Sequence, residues 1–591
     1  MVRATFQGMY TSLSGIIASQ ANLDVTAQNL TNILTKGYTR QRADLLAIGD
    51  AGVYSHIANP QALHIGQGVN VFNTSQLRNA GYDMRYREEN TKYGYYETKL
   101  SGLEDVERVL DEITLSEGGG GIQEQLLVLL DSLQDIADKA SDKDYSVIAR
   151  NNAAKITQLL NEQSRELQKI YDQQYDDFSV TVGKINTLIK SISELDKMIH
   201  KDETYGNPSH ELKDLRNYLL DELSGYLPIE YTPTSYSDDM VKLMRDSLPH
   251  ENDPYPNASA SIEYSVSIVS YDASGNKVLL PLVQNNGHYA TLTLETYTNH
   301  NNYVSSGDAL PRLTLEYPPF SGVGSGPDMY VPGTNPPVSL DGQKFSLTAD
   351  QLATGNLPTD TTGSNNLTIK SGSVGAYLDL LSGDGVFGTA EADNYGIRYY
   401  QKMLDVFAQT FAKEMNTINQ AGSGGTGALL FTDDSGTGTA NLKAGNIKVS
   451  DAWNADAGAL ETTVSSSPLG EENDNILSMI ALFDRKDIPF NGTTVSGGTV
   501  LTYEGGITSF HANLGVTLGI DKSTVSSLSS TYKMNVENLD SYRQSVSGVD
   551  ENEEVAGMLM FQKAYSAAAR MLTTMDEMLD LVVNRMGIVG R

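Results

Sequence analysis

Eight histidines, 74 acidic residues and no cysteine are what this 591-residue chain offers for chemistry. His56, His64, His200, His210, His250, His288, His300 and His511 contain no pair spaced to place two ligands on one helical turn, and no HExxH occurs. Without cysteine, disulfides, thiol nucleophiles and thiolate metal sites are excluded. The stretch GSGGTG (422–427) fits GxGxxG, but it follows a helical pattern and precedes none. The strand–turn–helix context of a dinucleotide site is missing. In DENEEV (550–555), Val555 stands where a calcium loop needs its turning glycine and Phe561 where it needs the closing acid, so the stretch reads as a helix start. A glycosidase would need two carboxyls ~5–9 Å apart, a separation no sequence shows, and the single tryptophan, Trp453, offers little surface for sugar stacking. The expectation is a protein of surfaces: no enzyme, no cofactor, no metal.

The elements that would carry those surfaces are helices at the two chain ends. From Met9, apolar positions recur at Leu13, Ile16, Leu23, Ala27 and Leu30, with Gln20 as a polar intruder, in alternating steps of four and three. That spacing is the seam of a coiled coil. Asp24 is the only charge between Ala4 and Ile33, so the outer face is polar yet uncharged, as close packing among identical neighbours would tolerate. Near the other end Met558, Phe561, Tyr565, Ala568, Leu572, Met575, Leu579, Val582 and Met586 repeat the pattern. SGVDENEE (547–554) precedes them with Ser and Asp cap candidates, and SAAA (566–569) permits close backbone approach. The two seams are expected to pair, bringing the termini together with everything else as an excursion between them.

Within the excursion, residues 88–227 carry repeated apolar helical faces such as Ile185, Leu188, Ile192, Leu195 and Ile199. Breaks fall at EGGGG (117–121) and ETYGNPS (203–209), and Pro228 closes the block. From 229 to 371 alternation and turns take over; SIEYSVSIVSYDASGNKVLLPLV reads as two strands around an Ala-Ser-Gly-Asn turn, and 317–343 as loop. Helix returns over 397–418, and the Gly/Ser/Thr-rich stretch 420–530 reads as a second β region with loops. The predicted class is α+β multidomain: terminal helices pairing as a coiled coil, a long-helix bundle domain and inserted β-rich domains. The expected domains are 1–60 with 545–591 (terminal tube), 61–228 with 390–422 and 515–544 (helical shell), 229–389 (inserted β-rich) and 423–514 (small β/loop region).

Composition limits the partners. Apolar residues are 39 % and charged residues 20 %, which suits globular material of several cores, since one core seldom outgrows ~250 residues. A net charge of −32 repels phosphate backbones and anionic lipid, so nucleic acid is not an expected partner. No run approaches the ~20 apolar residues of a membrane span. MVRATFQGMYTSLSGIIASQ, with GIIA as its longest apolar run, does not read as a cleavable signal, so any export is expected to use another route.

AQNLTNILTKGYTRQ is similar to the N-terminal signature of the bacterial flagellar axial (rod and hook) proteins, carried here by Asn29, Asn32, Thr35, Gly37 and Tyr38. Leu34 and Lys36 stand where that family more often shows Asn and Pro. SGVDENEEVAGMLMFQKAYSAAARMLTTMDEML resembles the matching C-terminal signature through Glu553, Glu554, Gln562, Tyr565 and Ala567. Further stretches resemble, in the expected order, the branch of the family found at the hook–filament junction. They are GYTRQ, ELKDLRNYLLDELSGYLPIEY (211–231, with Asn217 where a second acid is usual), SGSVGAYLDLL (371–381), EMNTINQAG (414–422) and ENDNILSMIALFD (472–484). Residues 232–370 lie outside the resemblance and read as a variable insertion.

The resemblance implies a structural adaptor joining hook to filament. It implies assembly through Leu13, Ile16, Leu23, Leu30, Asn29, Asn32, Gly37 and Tyr38 at one end and Met558, Phe561, Gln562, Tyr565, Ala568, Leu572, Met575, Leu579 and Val582 at the other. Implied partners are identical subunits in a ring, the hook protein, a second junction protein, and an export chaperone at the C-terminal helix. Export would run through the flagellar secretion apparatus. Gly37 is expected to adopt the positive φ of a helix cap. The nearest alternative is a hook or rod subunit, against which the Arg-Gln after Gly-Tyr and the long helical block argue. A secreted carbohydrate-active enzyme, hosted by the β regions, is the alternative from another class.

Overall fold

A computed structural model describes residues 5–48, 68–111, 121–139, 143–205, 207–234, 263–271, 275–283, 288–297, 310–317, 344–348, 365–383, 395–425, 427–465, 472–493 and 499–581. The first helix, α1 (Thr5–Thr31), leads into a hairpin of β1 (Gln41–Ile48) and β2 (Gly68–Gln76). The helical block follows: α2 (Ala80–Asp111), α3 (Ile122–Asp138), α4 (Lys143–Thr204) and α5 (His210–Tyr226). At 62 residues α4 is about 90 Å long, and it acts as the spine of the molecule. Its face Ile185, Leu188, Ile192, Leu195 and Ile199 is buried throughout, as the spacing predicts.

One seven-stranded sheet comprises β3 (Ile229–Thr234), β4 (Glu263–Tyr271), β5 (Lys277–Val283), β6 (Thr291–Tyr297), β7 (Leu310–Glu316), β8 (Lys344–Thr348) and β9 (Asn365–Thr368). The two strands expected around the Ala-Ser-Gly-Asn turn are β4 and β5, paired antiparallel. The order is β3-β4-β9-β8-β7-β6 with β5 also on β4, and β8–β9 is its parallel pair. Leu292, Leu313, Leu315 and Leu347 on one face join the core of the helical block, and Asn186 of α4 exchanges hydrogen bonds with the backbone of Leu292. α6 (Gly372–Ser382) then packs on α2, α4 and α5.

The stretch expected to be a second β region is mostly something else. α7 (Ile397–Gly425) runs past residue 420, and α9 (Asp474–Asp484) and α10 (Ile507–Ser547) are helices. Among the described residues there, only β10 (Phe431–Thr432) with β11 (Lys448–Val449), and β12 (Ile488–Thr493) with β13 (Thr499–Gly505), form small ribbons. A short helix, α8 (Asp451–Ala455), carries Trp453. Gly and Ser in α10 weaken helix propensity, yet Phe510, Leu514, Leu518 and Val525 recur at helical spacing and are buried. Tertiary burial decided the outcome.

Phe407, Phe411, Phe490 and Phe510 form one aromatic cluster between α7, β12 and α10, with the His511 ring edge-on to Phe407 at 4.7 Å. Burial lowers the His511 pKa from 6.5 to about 4. Between those values the unfolded chain binds a proton that the folded chain refuses. The stabilisation is therefore complete above pH 6.5 and lost as pH falls through about 4, a span worth about 3 kcal/mol. The urea midpoint should fall accordingly between pH 7 and pH 4, and His511→Phe should flatten that part of the profile. An unchanged slope in the variant would show that other groups carry the acid sensitivity.

Candidate functional site

The hydrophobic core, which runs from Leu103 to Val525, includes nothing from α1 or from α11 (Glu551–Asp580). These two helices pair antiparallel. A methyl on Gly8 would meet Met575, a methyl on Gly15 would lie 3.6 Å from Ala568 Cβ, and Asn29 Nδ2 donates to Glu554 Oε2 at 3.3 Å. The three contacts are seven and fourteen residues apart on both helices, so one heptad register is kept along the pair.

The row of α1 inside this pair is not the apolar one. Ser12, Ser19, Asn22, Thr26 and Asn29 are buried, in line with Gly8 and Gly15, one residue earlier at each step than the expected seam. Leu13 is exposed, and Ile16, Leu23 and Leu30 are half-buried on the flank. Small residues let two backbones come close, and larger side chains in that row would hold them apart. Three of the polar ones bond inside the helix: Ser12 Oγ donates to Gly8 O, Ser19 Oγ to Gly15 O, and Asn22 Nδ2 to Ala18 O. On α11 the apolar row itself faces inward, with Met558, Phe561, Ala568, Leu572, Met575 and Leu579 half-buried. Tyr565 and Gln562 are exposed, and Val582 lies outside the described residues.

The ends of α1 and α11 meet the helical block at one polar node. Asn29 Oδ1 accepts from Tyr38 Oη (3.0 Å) and from Gln41 N (2.9 Å), and Asn29 Nδ2 also donates to Gln41 O (2.9 Å). Arg40 Nε donates to Glu554 Oε1 at 2.6 Å, its Nη1 lies 3.0 Å from Glu553 Oε2, and its backbone N–H donates to Ser547 O. Glu554 is the single buried residue of α11, whose first turn is capped by the Asp550 carboxylate accepting from Asn552 N and Glu553 N. Thr39 N donates to Asp214 Oδ2 of α5 at 2.9 Å, and Arg78 spans Asp83 and Asp214. Arg543, stacked on the Tyr86 ring and paired with Asp540 of its own helix, ties the end of α10 to Asp221 of α5. Tyr38 and Gln41 thus bond α1, Thr39 bonds α5 and Arg40 bonds α11.

Burial, then Glu211, Asp214 and Glu554, push the Tyr38 phenol up to about 12, so it stays a donor at any physiological pH. Burial also raises the Asp214 carboxyl, opposed by the Thr39 bonds and the Arg78 charge. Gly37 does have a positive φ (+78°), but α1 ends at Thr31. Gly37 therefore turns the chain toward β1 rather than capping the helix, with Tyr218 of α5 3.1 Å from where a Cβ would stand. Asn32 and Thr35 bond within that turn (Thr35 Oγ1 to Asn32 Oδ1, 3.2 Å). Asn217 accepts from Arg87 Nη2 where the family's usual acid would stand.

Arg40, Asp214, Arg78 and Arg543 escaped the sequence reading as node residues. Arg40 and Asp214 lie within quoted motifs, but their partners are hundreds of residues away. Gly425 ends α7 with φ +90°, so the GxGxxG match sits at a helix C-terminus. Among the described residues no cluster of three His, Asp or Glu could hold a metal, and no helix is long and apolar enough to cross a membrane.

Residues 109–254 match the family described as "Flagellar hook-associated protein FlgK helical domain", and residues 541–586 match "Flagellar basal body rod FlgEFG protein C-terminal". Flagellar hook-associated protein 1 of Bacillus subtilis (strain 168) is 30% identical over 601 residues, covering 100% of each chain. A solved structure of the flagellar hook junction protein FlgK from Burkholderia pseudomallei covers 77% of this chain and 100% of its own at a TM-score of 0.45 and 13% identity, a likeness too slight to argue from.

Proposed function

This chain belongs to the flagellar hook-associated protein 1 family, and from that premise we propose that it is a structural adaptor of the bacterial flagellum joining hook to filament. The observation that carries this reading is a second row on each terminal helix. On α11 the row Met560, Ala564, Ala567, Met571, Thr574, Met578 and Leu581 is exposed at every position, carries no charge, and alternates four and three. On α1 the corresponding row is Met9, Leu13, Ile16, Leu23 and Leu30, with Tyr10 and Ile17 exposed beside it. Each row lies one residue, about 100°, around the helix from the inner seam. A helix with two adjacent seams suits packing against neighbours on both sides, and a contiguous exposed apolar face is a cost for a lone chain.

In this reading the α1–α11 pair is the assembly unit, and the node at Asn29, Arg40 and Glu554 fixes its angle to the helical block. Identical copies close a ring, with the hook protein on one side and a second junction protein on the other. An export chaperone covers the outer row of α11 before assembly, and export uses the flagellar secretion apparatus. The role is mechanical, without catalysis.

Cells lacking this chain, viewed by electron microscopy, should carry hooks without filaments and shed flagellin into the medium, and a plasmid copy should restore filaments. Normal filaments on the deletion strain would remove the junction role.

A further inference from the structure

Gly515 and Gly519 lie four residues apart on the solvent face of α10, and a methyl on either would meet nothing within 4 Å. Glycine weakens a helix interior, so a lone chain would be more stable with alanine at both places. Among the described residues nothing supplies a packing reason for them. Around them, every exposed position between Ala512 and Thr531 is Ala, Asn, Gly, Val, Ile, Ser or Thr; Asp521 and Lys522 are half-buried, and Lys522 is bonded to Glu107 of α2. Val516 and Ile520 stand more than half exposed beside the glycines.

Gly515 also opens onto a cavity of 230 Å³ whose apolar walls are Leu110 of α2, Ile122 and Leu127 of α3, and Leu514 and Leu518 of α10. His511 and Gln163 line the same cavity, are more than nine-tenths buried, and keep Nε2 and Oε1 without a partner. Glu107 and Glu124, with Gly121 and Gln123, also line it. A side chain with an apolar stem and a hydrogen-bond donor at its tip matches that surface, since Gln163 Oε1 and the carboxylates only accept.

We propose that this face of α10, with the notch at Gly515, is a contact surface for a second copy of this chain, whose helix crosses at the two glycines. The charge argues for a copy. With 74 acidic against 42 basic residues, two copies repel over most of their surfaces and can approach closely where exposed charge is missing. The carboxylates at the notch, Glu107 and Glu124, are then met by the donor tip of the copy's entering side chain. Glycines at i and i+4 then let the crossing backbone come close and let one side chain enter the notch.

The proposal rests on the junction reading, and the test separates the two. A photo-crosslinking amino acid is placed at Ile520 or, as a control, at Met571 of the outer α11 row, and assembled flagella are irradiated. The Ile520 variant should give a product of twice the mass of the chain. No product, or a product with a different protein, while Met571 crosslinks, would overturn this proposal and leave the junction reading standing; silence at both positions would sink both. Independently, Gly515→Leu should leave the melting temperature of the free chain unchanged or raised, and lower its incorporation into flagella at least tenfold. Incorporation at the normal level would show that nothing enters the notch.

Discussion

Glu554→Ala should loosen both terminal helices while leaving the helical block as stable as before. The Glu554 side chain is 4 % exposed and accepts from Arg40 and Asn29, so its loss leaves the Arg40 guanidinium with Glu553 alone and the Asn29 amide with Gln41 O alone. Removing one partner of a buried pair typically costs ~3–5 kcal/mol, and the 23 % exposure of Arg40 lets water recover part of that. With Glu553 still on Arg40 and Gln41 O still on Asn29, an expected cost of about 2 kcal/mol raises local opening roughly thirtyfold. Amide hydrogen exchange should therefore quicken by that factor in α1 and α11, and not in α4, whose core shares no residue with the node. Arg40→Met should produce the same pattern, because it leaves the Glu554 carboxylate buried without its cation. Uniform acceleration through α4 would mean that the terminal pair and the block are one cooperative unit.

A larger effect is expected on assembly than on folding. Met571 and Met578 are 53 % and 60 % exposed on the outer row of α11, so Met571→Asp with Met578→Asp should spare the folded monomer. In the flagellum each new carboxylate would be buried against a neighbour with no cation provided for it. At ~3 kcal/mol or more for each uncompensated charge, incorporation should fall more than a hundredfold. The amount of the chain in purified flagella, set against the folded pool in the cell, measures this. Normal incorporation of the double variant would place the outer row of α11 at free surface.

The contrast between the two helices shows what a sequence can and cannot display. On α11 the apolar row is the inner seam, so periodicity finds it: Phe561, Leu572, Met575 and Leu579 turn inward. On α1 the same periodicity marks Leu13, Ile16, Leu23 and Leu30, but the inner positions belong to Gly8, Ser12, Gly15 and Ser19. Hydrophobic spacing registers area, whereas close helix approach selects for the absence of side chain. The hidden row has the same spacing, displaced by one residue.

The β1–β2 hairpin left little trace. Its strand Gly68–Gln76 is largely half-exposed and mixes Asn, Thr and Ser with Val and Phe, so no alternation marks it. The long apolar repeats of α4, α7 and the β4–β5 pair were legible because each buries one clean face. The node was legible only in part. Asn29, Tyr38 and Glu554 stood out through motif resemblance, but that Arg40 pairs with Glu553 and Glu554, and Thr39 with Asp214, depends on separations of up to 514 residues that no local pattern encodes.

The central claim is that the outer row of α11, exposed in the free chain, is covered in the flagellum together with the half-exposed flank of α1. Methionine oxidation measures this directly, because Met560, Met571 and Met578 are all more than half exposed on that row, while Met198 of α4 is an exposed reference on the helical block. Brief peroxide treatment of the free chain and of purified flagella, followed by peptide mass spectrometry, gives the rate at each residue. All four should oxidise readily in the free chain, and in flagella the three α11 methionines should slow at least tenfold relative to Met198. Equal relative rates in the two preparations would mean that the terminal helices stay bare after assembly, and the account of this chain as a junction built through them would be wrong.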